Sequence, residues 1–244
     1  MNSIISTPDQ MGLICKAVKT CLRLPLFDRG ANVPGALLEM VIGEVRGARP
    51  LGTYDFVDVV KSEARIGWQI KSTKADTPVT WKRAKIPNRD EMIRRSERSK
   101  EGLQALGDAI LEFCNQHARE SLEKYQLDSI GLCRLVRSDK TLFYYERELC
   151  SRRSDNIFSP AEFSWGWSKA KETKVKEQLS ALHGTHRKTG RKWFAWHGRG
   201  ENQLHFSGES CWWPKPGDKT RVDFAAPSQG QVLSLTELAE LLDG

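Results

Sequence analysis

No run of apolar residues in this sequence approaches the ~18–20 needed to cross a bilayer, so neither a transmembrane helix nor a membrane partner is expected. The first residues, MNSIISTPDQ, lack a basic start followed by an apolar stretch, which argues against a secretory signal. Cysteine occurs six times, yet never as a CxxC pair and never beside a histidine at zinc-finger spacing. That pattern speaks against structural zinc and against a disulfide framework. Cys114 falls on an apolar helical stripe and Cys133 inside a strand-like run, where a thiol behaves as a small buried hydrophobe. Internal repeats and low-complexity tracts are absent as well. These absences predict a soluble, reduced, intracellular protein of a bacterial-type cytoplasm.

What is present is an ordinary globular mixture. The 244 residues are 39% hydrophobic and 28% charged, enough length for one large domain or two small ones. Lys plus Arg is 38 against 31 Asp plus Glu, a net charge of +7. The placement of that excess is uneven, and it matters more than the total.

Apolar residues at helical intervals predict a first helix over 8–24, and Pro34-Gly35 opens a second that ends at the GARPLG break of 47–52. Two runs rich in Val, Ile and aromatics, 54–60 and 67–73, predict a hairpin, with a third strand over 78–86. A long helical pattern covers 90–125, followed by strands at 129–137 and 141–146. This order reads as α/β, a mixed central sheet flanked by helices. After Cys150 the composition shifts toward Trp, Lys, His and Gly, predicting short strands joined by turns and a last short helix over 236–242. The expected division is a core of 1–150 and a β-rich region of 151–244, or one integrated domain.

The stretch that carries chemistry is Asp55-Phe-Val-Asp58 followed, fourteen residues after Asp55, by Gln69-Ile70-Lys71. Period-two geometry places Gln69 and Lys71 on one strand face, with Trp68 and Ile70 on the other. Pairing the two strands brings a carboxylate, an amide oxygen and an ammonium to one sheet edge. A hard cation such as Mg2+ takes oxygen ligands of this kind together with phosphate oxygens. Lys71 suits orientation of a water and compensation of the charge that develops in phosphodiester hydrolysis. Glu39 on the preceding helix adds a further carboxylate. Asp55 and Asp58 compete for the metal role, and the strand-opening position favours Asp55.

These residues resemble the PD-(D/E)xK nuclease superfamily, in which one strand carries Asp and the next Glu-x-Lys. The triplet Gln69-Ile70-Lys71 is similar to the Gln-x-Lys variant, and Gly35-x-x-x-Glu39 is similar to the helical Glu placed before the core hairpin in many members. Tyr54, not Pro, precedes Asp55, and Gln69 removes one negative charge from the metal site. The resemblance covers 35–73 by motif and extends to 149 by element order. It implies a restriction-endonuclease-like core and Mg2+ held by Asp55, Gln69 and Glu39. The activity it implies is site-specific cleavage of double-stranded DNA by a homodimer, in the manner of a type II restriction enzyme. A non-catalytic DNA-binding protein with a decayed core, and a structure-directed repair or recombination nuclease, are the alternatives.

Residues 82–100 contain eight Lys or Arg against three acids, a net of +5. Lys82, Arg83, Lys85, Arg94 and Arg95 are thus candidates for phosphate contacts, since a duplex offers closely spaced charges for them to neutralise. The loop Arg199-Gly-Glu-Asn202-Gln203 presents the side chains that pair with guanine and adenine through two hydrogen bonds each. His197 and His205 flank it as further candidate contacts. The four tryptophans between 193 and 213 read as the core of a small β layer.

Overall fold

A computed structural model of the chain describes residues 3–24, 33–138, 140–172, 177–209, 211–228 and 232–243. In chain order the elements are α1 (Pro8–Cys21), α2 (Gly35–Arg46), β1 (Arg49–Pro50), β2 (Val59–Lys61), β3 (Ile66–Lys74) and β4 (Val79–Arg83). Next come α3 (Arg89–Ser96), α4 (Lys100–Lys124), β5 (Ser129–Arg137), β6 (Thr141–Ser151) and β7 (Phe163–Trp167). Short strands β8 (Lys171–Glu172) and β9 (Glu177–Gln178) pair with each other. Then follow β10 (Leu182–His186), β11 (Lys192–Trp196), β12 (Gln203–Phe206), β13 (Arg221–Ala225) and α5 (Leu235–Asp243). The α/β class read from the sequence holds.

The chain forms two compact units, each assembled from separated stretches. One unit comprises 1–77, 121–153 and 214–244, and the other comprises 78–120 and 154–213. The reason is strand pairing over long sequence separations. β4 leaves the hairpin that precedes it and pairs with β12, while β13 returns to pair with β6. Periodicity identifies such strands, but it carries no information about which neighbour each will choose.

The first unit is a six-stranded sheet in the order β1-β2-β3-β5-β6-β13. Only β3 and β5 run parallel; the other neighbours are antiparallel. A parallel pair requires a crossover, and the chain makes it through β4, α3 and α4. α1 begins with a capping box, in which the Thr7 side chain accepts from Gln10 N–H while Gln10 accepts from Thr7 N–H. α2 stops at Gly47, whose φ of 59° is the left-handed conformation that suits glycine. Their apolar stripes, among them Met11, Ile14, Val18, Leu38 and Ile42, pack on Ile66, Trp68, Ile70, Cys133, Leu135 and Tyr144 of the sheet.

A buried polar network pins the start of the chain to that layer. Glu146, 1% exposed, accepts hydrogen bonds from Ser6 N–H and Oγ, from the Tyr144 hydroxyl and from Arg46 Nη1. Arg46 also donates to the carbonyls of Ser3 and Ile4, and its guanidinium lies 4.0 Å from the Trp68 ring centre. Trp68 Nε1 donates to the same Ile4 carbonyl. Burial raises the Tyr144 hydroxyl and the Cys133 thiol well above their ordinary ranges, with the Glu146 charge adding to it. Both therefore stay protonated.

The second unit is an antiparallel sheet in the order β4-β12-β11-β10-β7 with α3 and α4 as far as Glu120. Trp81, Phe163, Phe194, Trp196 and Phe206 are fully buried there and Trp193 is buried, so the first half of the tryptophan-rich segment is core as its sequence implies, whereas Trp212 and Trp213 are half-buried. Gly107 on α4 is required by close approach, because a Cβ at that position would collide with the Trp165 ring. The single helix expected over 90–125 is two, α3 and α4, interrupted at Glu97–Ser99. β8 and β9 border residues 173–176, which lie outside the described residues.

Candidate functional site

The candidate residues of the first unit assemble from α2, the start of β2 and the middle of β3. Asp58 immediately precedes β2, and its backbone N–H donates to Trp68 O over 2.8 Å. Its carboxylate turns onto β3, where Oδ2 accepts the Ile70 N–H at 2.6 Å. Asp58 is thereby held between Gln69 and Lys71. Glu39 lies on α2 within electrostatic reach of both Asp58 and Lys71. Burial pushes the Glu39 carboxyl above its usual range; the Asp58 charge adds to this and Lys71 opposes it. Two carboxylates and one ammonium thus share a half-buried corner of the sheet.

Gln69 is only 2% exposed, and its Oε1 has no hydrogen-bond partner. An amide oxygen buried without a partner costs free energy, about 1–3 kcal/mol, and asks for an explanation. The donor set supplies one. Two carboxylates and an amide oxygen are oxygen ligands suited to Mg2+, which commonly uses one or two carboxylates and keeps its other positions for water and phosphate. Among the described residues no three of His, Cys, Asp or Glu gather as a metal-holding group; Glu39, Asp58 and Gln69 are the oxygen donors of this corner that could hold a cation.

Asp55 is placed elsewhere. Its carboxylate receives hydrogen bonds from Lys124 Nζ at 2.8 Å, from the Tyr125 hydroxyl and from Thr53 Oγ1. The bonds from Lys124 and Tyr125 lower its pKa to about 2. Asp58 therefore occupies the position for which the sequence favours Asp55. The strand-opening argument fails because β2 begins at Val59, later than the apolar run suggests, and residues 52–57 form a loop instead.

The sequence reading missed Arg134, which is level with Lys71 on β5 and 7% exposed. It donates to Thr73 Oγ1 and to the Thr77 carbonyl, tying the ends of β3 and β5 together. Its signal was a charged residue inside the apolar run SIGLCRLVR. The Arg46–Glu146 pair was also missed, because neither residue stands out in its own segment.

In the second unit, β4–β12 pairing sets Arg83 opposite Gln203 and Lys82 opposite Leu204, so two segments separated by 120 residues (203 − 83) meet. Arg83, Lys85, Arg94 and Arg95 are exposed and Lys82 is half-buried. The proposed reading loop is already engaged. Arg199 pairs with Glu97 and lies 4.8 Å from the Trp167 ring centre. Asn202 Oδ1 accepts from Arg89 at 3.3 Å, and both border a surface cavity of about 460 Å3 with Lys85 and Asn88. Gln203 bonds Glu201 and His205, and the His197 and His205 rings stand 5.0 Å apart. Burial lowers the pKa of both histidines, so they are neutral at pH 7.

Comparison of the chain with family models, with curated proteins and with solved structures returns no match.

The raised Glu39 pKa gives a test that needs no catalysis. A carboxyl whose folded pKa lies above its unfolded value destabilises the fold at neutral pH and ceases to do so as pH falls. Glu39→Gln removes that charge while keeping the side chain's shape. The variant should be at least as thermostable as the wild type without metal. It should lose most of the rise in Tm that added magnesium gives the wild type. An equal magnesium response in both proteins, read by calorimetry, would remove Glu39 from the cation site.

Proposed function

We propose that the chain is a magnesium-dependent DNA endonuclease of the PD-(D/E)xK type in its Gln-x-Lys form. The observation that carries this reading is the grouping of Glu39, Asp58 and Lys71 beside a buried Gln69 whose amide oxygen lacks a partner. The mixed sheet with helices packed on it supports a restriction-endonuclease-like core. The exposed Arg83, Lys85, Arg94 and Arg95 support a polyanionic partner, double-stranded DNA, through phosphate contacts. Homodimeric action in the cytoplasm, cutting both strands at a defined sequence, completes the proposal.

When bound, the cation would polarise the phosphoryl group and lower the pKa of a coordinated water. The chain supplies the rest. Glu39, Asp58 and Gln69 Oε1 would hold the cation, and Lys71 is the group of the site able to donate to a phosphate oxygen. The Ile70 N–H holds Asp58 so that its carboxylate does not rotate away. Lys71 Nζ is placed to offset the negative charge that grows on the phosphoryl oxygens as a water attacks.

A second reading within the same class is a structure-directed repair or recombination nuclease. The occupied state of Arg199, Asn202 and Gln203 favours it, because side chains committed to Glu97, Arg89 and Glu201 are not poised to read base edges. Supercoiled plasmid incubated with magnesium, against an EDTA control, tests the proposal. Discrete fragments support the site-specific enzyme; nicking concentrated at branched or looped DNA supports the second reading. Plasmid that is bound but stays intact over a range of divalent cations would leave a DNA-binding protein with a decayed core.

A further inference from the structure

The loop that precedes Asp58 is closed and clamped, and it carries a fully exposed aromatic ring. Leu51 N–H donates to the Asp58 carbonyl at 2.9 Å and joins the two ends of the loop. Asp55 is tied down by Lys124, Tyr125 and Thr53. Phe56 is fully buried, and its N–H donates to Ser121 Oγ at 3.2 Å. Between these fixed points Tyr54 is 101% exposed. The residue after Tyr54 is bonded to Lys124 and Tyr125 at the end of α4 and the next is core, so the backbone on that side of the ring is fixed.

The Asp55 carboxyl, with its pKa near 2, remains charged at every working pH. The ion pair with Lys124 is thus available across that range, and the backbone beside the ring is held. Tyr54 lies four residues from Asp58 (58 − 54), so its Cα is at most about 14 Å from that of the site residue. That reach covers about four nucleotide steps of a strand at about 3.4 Å each. A tyrosine offers a stacking face at low entropic cost, since few torsions must be fixed.

We infer that Tyr54 is a nucleic-acid contact that stacks on a nucleobase next to the phosphate placed at Glu39, Asp58 and Lys71. The inference rests on the nuclease reading, and it adds a specificity residue outside the cation site. Because a base must present its face to be stacked upon, the contact requires that a base of the duplex be opened near the cut, and DNA in which that base is already unpaired should bind more tightly.

The test uses the full chain without magnesium, so that cleavage plays no part. Single-stranded and looped DNA carrying 5-iodouracil is bound and irradiated, and the crosslinked peptide is mapped by mass spectrometry. The crosslink should fall on Tyr54. Tyr54→Ala should weaken binding to these DNAs by roughly 5- to 150-fold, the range of one base–aromatic stack. Tyr54→Phe, which keeps the ring, should bind like the wild type. Circular dichroism and melting of the variants should match the wild type, as expected for an exposed position. Equal affinity of Tyr54→Ala and wild type, or a crosslink confined to other peptides, would overturn the inference and leave the nuclease proposal standing. Failure of the wild type both to bind any DNA and to cut it with magnesium would remove the nuclease proposal itself, and this inference with it.

Discussion

Lys71→Ala is expected to reduce DNA cleavage about 10²–10⁴-fold while leaving DNA binding largely unchanged. Lys71 is half-buried on β3, on the face it shares with Gln69, and its charge is felt by Glu39. Such a group acts on the attacking water and on transition-state charge, while docking depends on the many basic residues elsewhere. The aspartates sharpen the test. Asp58→Asn should eliminate magnesium-dependent cleavage, because Asp58 is the carboxylate that turns onto β3 at Ile70 and lies within electrostatic reach of Glu39. Asp55→Asn should keep a measurable fraction and mainly loosen the 52–57 loop. The Asp55 clamp has a pH signature as well. Its folded pKa is depressed, so its contribution is complete above the ordinary carboxylate range and is lost only as pH falls toward about 2. Single-turnover rates and binding isotherms for the three variants decide the matter. Wild-type turnover in Lys71→Ala would reject the site, and a reversed order of the two aspartates would reject the role of Asp58.

Glu146→Ala should destabilise the first unit by about 3–5 kcal/mol, the usual consequence of leaving a buried charge without its partner. Arg46 and Glu146 are 5% and 1% exposed, so water cannot take the place of the lost carboxylate. The same change leaves Ser6 N–H and the Tyr144 hydroxyl without their acceptor and frees the segment that Arg46 ties through Ser3 and Ile4. Glu146→Gln, which keeps an acceptor oxygen but not the charge, should lose less. Urea denaturation followed by circular dichroism measures the loss, and amide exchange at Ser6 reports the release of the strap. A change below about 0.5 kcal/mol in Glu146→Ala would mean that the network contributes little beyond geometry.

The helices and strands that the sequence marks are those set by local periodicity. α1, α2, β3, β5 and β6 follow from apolar spacing, from Pro and Gly at helix ends and from β-branched runs, all of which are read over a few residues. Glu39, Gln69 and Lys71 were legible for the same reason: their spacing along one helix and one strand fixes which face they occupy. The choice between Asp55 and Asp58 was not legible. It depends on Lys124 and Tyr125 arriving from the end of α4, about seventy residues away, and on β2 starting at Val59.

The partition into units was equally hidden. β4 pairs with β12 rather than continuing its hairpin, and β13 pairs with β6, so both units are assembled from separated stretches of chain. The buried, unpartnered Oε1 of Gln69 and the exposed ring of Tyr54 are likewise products of packing. The amino-acid sequence by itself determined most of the secondary elements and which polar residues share a strand face, because periodicity and residue type are local properties. Tertiary structure alone decided which aspartate turns onto β3 and which is tied to Lys124, which basic side chains are already engaged and which strand finds which neighbour. Those outcomes depend on contacts between residues far apart in the chain, where hydrogen bonds and burial compete and no short window of sequence records the winner.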